Sequence, residues 1–130
     1  MDLPLDVFRQ HGVHLAYLFG SRAHGRDQPE SDLDVAVLFP RATTPLERLD
    51  RAGRLQAELK AATALSVDLV VLNDAGPALS FEAAVRGQPL LGTPEERFRF
   101  EQVVRSRYED LIHSQRFFTE ARRRRLGLTP

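Results

Sequence analysis

Residues 14–39 read HLAYLFGSRAHGRDQPESDLDVAVLF, and the fold turns on this stretch. Its two ends, HLAYLFG (14–20) and LDVAVLF (33–39), are short, apolar and rich in β-forming residues, so each reads as a strand. Between them lies a polar loop that begins with Gly20 and Ser21 and ends at Asp32 and Asp34. Those polar groups therefore collect at one edge of a sheet. Side chains two apart on a strand share a face, which sets Asp32 and Asp34 side by side with α-carbons roughly 6–7 Å apart. Two carboxylates that close repel each other unless a cation lies between them. The expected cation is Mg²⁺, a hard ion that commonly joins one or two carboxylates to the phosphates of a substrate.

The start of the loop suits the other half of that pairing. Glycine at position 20 lets the chain turn sharply and approach a ligand closely. If residues 21–25 open a helical turn, their free N–H groups and the Ser21 hydroxyl face an anion such as a triphosphate. Phosphate grips beside a carboxylate pair point to phosphoryl or nucleotidyl transfer. Such transfer also needs an activated oxygen, which calls for a second metal ion and a third carboxylate. Asp68 in SVDLVVL (66–72) is the candidate: an acid within an otherwise apolar strand is disfavoured by propensity and costly to bury unpaired. Each piece alone has an ordinary explanation, a solvated strand end for Asp32 and Asp34 or an arginine partner for Asp68. Together they make a closed chemistry, provided that the strand bearing Asp68 lies next to LDVAVLF.

The rest of the chain supplies an α/β frame. LDVFRQHG (5–12) reads as a short helix ended by Gly12. TPLERLDRAGRLQAELKAATAL (44–65) reads as a longer one, capped by Thr44, with Pro45 in its first turn. Leu46, Leu49, Leu55 and Leu59 form its apolar stripe. LSVDLVVLN (65–73) is the third strand, PALSFEAAVRGQ (77–88) a helix ending at Gly87, and PLLGT (89–93) a short strand or turn. From Pro94 to about residue 126 runs one long helix, striped by Phe98, Val103, Val104, Tyr108, Leu111, Ile112, Phe117 and Phe118 and closed by four arginines. Strands alternating with helices give an α/β fold, a small mixed sheet flanked by helices. The 130 residues are expected to form one domain, with a core over about 5–92 and the long helix over about 94–126.

Composition narrows the function. Eighteen basic and eighteen acidic residues cancel, which argues against a general nucleic-acid binder. Cysteine is absent, excluding disulfides, thiolate metal sites and cysteine nucleophiles. The N-terminus MDLPLDVFRQ lacks the apolar core of a secretory signal, and no apolar run approaches a membrane span. The expected location is cytoplasmic.

LFGSRAHGRDQPESDLDVAVLF (18–39) resembles the signature of the DNA polymerase β-like nucleotidyltransferase superfamily: glycine–serine, about ten residues, then Asp-x-Asp. VDLVVL (67–72) resembles the strand that bears that superfamily's third carboxylate. The chain's length and the stretch FEAAVRGQPLLGTPEERFRFE (81–101) resemble the minimal nucleotidyltransferases, MNT. By this resemblance Gly20 and Ser21 hold the nucleotide's phosphates, with Arg22 assisting. Asp32 and Asp34 ligate two Mg²⁺ ions, and Asp68 ligates the catalytic one and helps to deprotonate the acceptor. His24 and Arg26 of the same loop read as solvent-facing.

Larger members of the superfamily carry a further domain for the acceptor, and no stretch here is left over for one. Single-domain MNT proteins are similar to the antitoxin halves of HEPN–MNT toxin–antitoxin pairs. The resemblance therefore implies transfer of AMP from ATP to a tyrosine hydroxyl of a HEPN ribonuclease toxin in a hetero-oligomer. Two alternatives stay open: an antitoxin that neutralises by binding alone, and a transferase acting on a small molecule or a tRNA end. The long helix offers an apolar stripe to such a partner, in part or not at all depending on how much of it the core covers. Arg107 and His113 are spaced nearly as in HEPN ribonucleases, but such a domain is wholly helical, and three strands precede them here.

Overall fold

A computed structural model describes residues 3–20 and 32–128. In chain order the elements are α1 (Leu5–Gln10), β1 (Leu15–Phe19), β2 (Leu33–Leu38), α2 (Pro45–Thr63), β3 (Val67–Val71), α3 (Pro77–Ser80), β4 (Gln88–Leu91) and α4 (Pro94–Arg125). The four strands form one sheet in the order β3-β2-β1-β4. β1 runs antiparallel to β2 and to β4, while β2 and β3 are parallel. A parallel pair needs a crossover, and α2 provides it.

Strand alternation divides the interior into two layers. Ala16, Leu18, Leu33, Val35, Val37 and Val67 pack with Phe8 of α1 and Leu55 and Leu59 of α2. Leu15, Tyr17, Phe19, Ala36 and Leu72 face the other way, against Ala83, Ala84 and Phe100. Asp34 and Asp68 have the parity of this second face. Tyr17 ties the sheet to α4 by donating to Glu101 at 3.5 Å, and burial pushes its hydroxyl above the usual tyrosine range, with the Glu101 charge adding to the effect.

The caps behave as the sequence indicates. The Thr44 hydroxyl accepts from the Glu47 amide at 3.1 Å, and the Thr93 hydroxyl from the Glu96 amide at 3.2 Å, each one residue before a proline at the first helical position. Past the end of β3, the Asn73 side chain replaces a strand partner: it accepts from the Phe39 amide at 2.9 Å and donates to the Phe39 carbonyl at 3.0 Å.

Three expectations are corrected. The four leucines of α2 do not share one face: Leu55 and Leu59 are fully buried, whereas Leu46 and Leu49 are 75% and 70% exposed. At about 100° per residue Leu46 lies roughly opposite Leu55 and Leu49 falls well to the side, while Arg48 and Ala52 occupy the inward positions of the first turns. Second, residues 77–88 are not one regular helix. α3 widens into a π-turn over Phe81–Val85, where the Arg86 amide reaches the Phe81 carbonyl at 3.2 Å. A β-carbon at Gly87 would strike the Ala83 carbonyl and come within 2.8 Å of the Leu18 carbonyl, so only glycine lets this turn close on β1. Third, in the stripe of α4 Val104 alone is fully buried, with Tyr108, Leu111 and Ile112 half-covered. The Tyr108 ring stacks on Phe81 at 4.0 Å, and every residue from His113 to Leu128 is exposed.

The α2 division has a direct test. Leu55→Ala and Leu59→Ala are each expected to cost about 2–5 kcal/mol in urea denaturation. Leu46→Ala and Leu49→Ala should each stay within about 0.5 kcal/mol.

Candidate active site

The carboxylates meet where β1 ends and β2 and β3 begin. Phe19, the last residue of β1, is opposite Asp34, and Asp34 is opposite Asp68 across the parallel pair. Neighbouring strands lie about 4.8 Å apart, so two acids in register on one face are close enough to repel each other. Asp32 stands two residues before Asp34, exposed at the mouth of β2. The Leu33 amide donates to the Ser66 carbonyl at 2.8 Å, fixing the start of β2 against the approach to β3 and holding the register that aligns the acids.

Electrostatics bears the same arrangement out. Partial burial pushes the Asp34 carboxyl above the ordinary carboxylate range, and the charges of Asp68 and then Asp32 push it further in the same direction. All three act on one carboxyl in the same direction, so the group is crowded by negative charge. Among the described residues no group of three or more acids, histidines or cysteines is placed to hold a metal ion by itself. Mg²⁺ needs only one or two carboxylates and takes the rest of its oxygens from water and phosphate.

Gly20 completes the rim. Its φ of +76° lies in the left-handed region, and a β-carbon there would run into the Asp34 carboxylate, 3.2 Å from its Cγ. Glycine is therefore needed twice, for the turn out of β1 and for room beside Asp34. Ser21, Arg22, His24 and Arg26 lie outside the described residues, as does the helical turn expected over residues 21–25.

The sequence reading passed over Arg86 and Gln88. β4 pairs Gln88 with Leu18, one residue from the end of β1, and so brings both to the side of the carboxylates; Arg86 holds Glu82 at 3.6 Å. No local signal could have found them, because the pairing of β4 with β1 joins segments some seventy residues apart. Arg107 and His113, the HEPN-like pair, are exposed on α4 in a chain with a four-stranded sheet, so their spacing is coincidental.

Comparison with known proteins agrees with this geometry. The family model described as "Polymerase beta, Nucleotidyltransferase" matches residues 5–96. Protein adenylyltransferase MntA of Shewanella oneidensis is 35% identical over 101 residues, spanning 76% of this chain and 68% of that protein. A crystal structure of a toxin–antitoxin with AMP-PNP superposes with a TM-score of 0.75 at 28% identity, covering 90% of this chain and 93% of the other. A structure of tri-AMPylated Shewanella oneidensis HEPN toxin in complex with MNT antitoxin matches with a TM-score of 0.67 at 26% identity, covering 90% of each chain. The matched residues include β1, β2 and β3 with all three acids: this chain belongs to the polymerase β nucleotidyltransferase family.

Proposed function

We propose that this chain is a Mg²⁺-dependent protein adenylyltransferase that moves AMP from ATP to a tyrosine hydroxyl of a cognate HEPN toxin, and so acts as its antitoxin. The observation that carries the reading is the face-to-face register of Asp34 and Asp68, crowded by Asp32, beside the glycine that ends β1. Relatives of this chain are a protein adenylyltransferase and an antitoxin bound to an AMPylated HEPN toxin, which supports the choice of nucleotide and acceptor.

In this reading Asp32 and Asp34 would hold two Mg²⁺ ions, and Asp68 would join them on the ion nearer the acceptor. The ions supply charge neutralisation at the triphosphate and make the acceptor oxygen easier to deprotonate. Gly20 and Ser21 would seat the phosphates, with Arg22 beside them. Asp68 would orient the tyrosine hydroxyl and take its proton. The tyrosyl oxygen forms a bond to the α-phosphorus of ATP, the bond to the β-phosphate bridge breaks, and pyrophosphate leaves. The phosphodiester places a bulky charged group on the toxin, obstructing RNA by sterics and repulsion.

The test is to incubate the protein with α-labelled ATP, Mg²⁺ and its toxin. Label should pass to the toxin and depend on the acids. Equal label with the Asp32→Ala, Asp34→Ala double variant would overturn the reading. If that variant still rescues cells from the toxin, binding alone neutralises it.

The acceptor has to be docked, and the outer part of α4 suits that task. Phe117 and Phe118 are 66% and 68% exposed and touch each other edge to face at 5.7 Å. Aromatic side chains on an exposed helix are typical anchors for a partner. Replacing both with alanine is expected to leave the melting temperature unchanged and weaken the toxin complex about tenfold or more, measured by calorimetry.

A further inference from the structure

The opposite rim of the sheet holds a second concavity. β1 begins there, β2 and β3 end there, and α4 starts beside it, with Glu96 paired to His14 at 3.0 Å. Leu38, the cleft residue on β2, stands four positions from Asp34, about 13 Å along the strand. The cleft has a volume of about 660 Å³, within the range of small-molecule sites. Leu38, Leu72, Phe100 and Val103 contribute its apolar wall. His14, Arg41, Arg48 and Arg107 also line it, and among the described residues no acidic side chain does.

Two of these side chains already have partners. His14 holds Glu96, and Arg48 holds Asp74 through two bonds of 2.9 and 3.1 Å. Arg48 also donates to the Thr43 carbonyl, while Thr43 bonds back to the Pro40 carbonyl through its amide at 3.1 Å and its hydroxyl at 2.6 Å. The turn carrying Arg41 is thus braced from inside, and Arg107 is carried by α4. Among the described residues neither Arg41 nor Arg107 pairs with a carboxylate. Two guanidinium groups on braced backbones in a cleft that also has an apolar wall match a molecule with a phosphate at one end and a flat apolar body at the other. Guanidinium grips phosphate through paired N–H bonds, and the apolar wall rewards burial of a ring.

We propose that this cleft is a second ligand site, taking an organic phosphate of nucleoside-monophosphate size, its phosphate held by Arg41 and Arg107 and its ring laid against Leu38, Phe100 and Val103. The site is separate from the carboxylate rim and does not depend on the transfer reaction.

Calorimetry of the full chain with AMP in EDTA tests this, because without cations the carboxylate rim repels phosphate. One equivalent of AMP should bind, and Arg41→Ala or Arg107→Ala should each weaken it at least tenfold. Adenosine and inorganic phosphate should each bind at least tenfold more weakly than AMP. Absence of AMP binding, equal affinity in both arginine variants, or phosphate binding as well as AMP would overturn the proposal. Should a variant fold poorly, hydrogen exchange on the unaltered chain decides instead: AMP should protect residues 40–43 and 103–107, and no protection there counts against the site.

Discussion

Asp34→Asn should abolish AMP transfer while making the isolated chain more stable. The side chain keeps its shape and loses its charge at the point where three acids converge. Charge stabilisation by metal ions contributes several kcal/mol to such reactions, so a drop of roughly 10³-fold or more in transfer rate is expected. The stability change has the opposite sign for the same reason. The folded-state proton affinity of Asp34 is raised, so the folded chain binds its proton more tightly than the unfolded chain does. Stability from this group is present at low pH, falls as pH rises from the ordinary aspartate range through the raised folded value, and stays reduced at neutral pH. Asparagine removes that penalty, and the melting temperature without metal should rise by a few degrees at pH 7. The gain should vanish at a pH well below the carboxylate range. Mg²⁺ with an ATP analogue should raise the melting temperature of the unaltered chain and not that of the variant.

Gly20→Ala should be nearly as damaging to transfer, by a steric route. The left-handed φ of +76° strains any side chain there, and the added methyl would have to displace the Asp34 carboxylate. Loss of one well-placed charged group costs roughly 10²–10³-fold in catalysis. Backbone strain of this kind costs about 1–3 kcal/mol, so the melting temperature should fall. The two variants thus move stability in opposite directions while both suppress transfer. Thermal melts beside transfer assays check the pair.

Much of the rim was legible in the sequence because its signals are local. Alternation puts Asp32 and Asp34 on one side of β2, an acid in an apolar strand draws attention to Asp68, and Thr44–Pro45 and Thr93–Pro94 mark helix starts. The sheet order was not legible, since the pairing of β4 with β1 is decided by distant segments. The π-turn at Phe81–Val85 escaped for a related reason: it follows from Gly87 closing on the Leu18 carbonyl, a contact that no local pattern encodes. Leu46 and Leu49 look periodic with Leu55 and Leu59, but about 3.6 residues per turn carries them off the inward face that Arg48, Ala52, Leu55 and Leu59 share. The stripe of α4 divides too: Val104, Tyr108, Leu111 and Ile112 are buried or half-covered, whereas Phe98, Val103, Phe117 and Phe118 are exposed. Arg41 and Arg107 lie sixty-six positions apart, and only the fold brings them to one cleft.

The account rests on divalent ions joining Asp32, Asp34 and Asp68 to a triphosphate. Crystals grown with Mn²⁺ and a non-hydrolysable ATP analogue test it most directly, because anomalous scattering locates the metal independently of any assignment. The expected result is Mn²⁺ at coordination distance from the carboxylates of Asp34, Asp32 and Asp68, bridging to the analogue's phosphates. A nucleotide bound elsewhere, or Mn²⁺ that leaves Asp34 and Asp68 unligated, would contradict it.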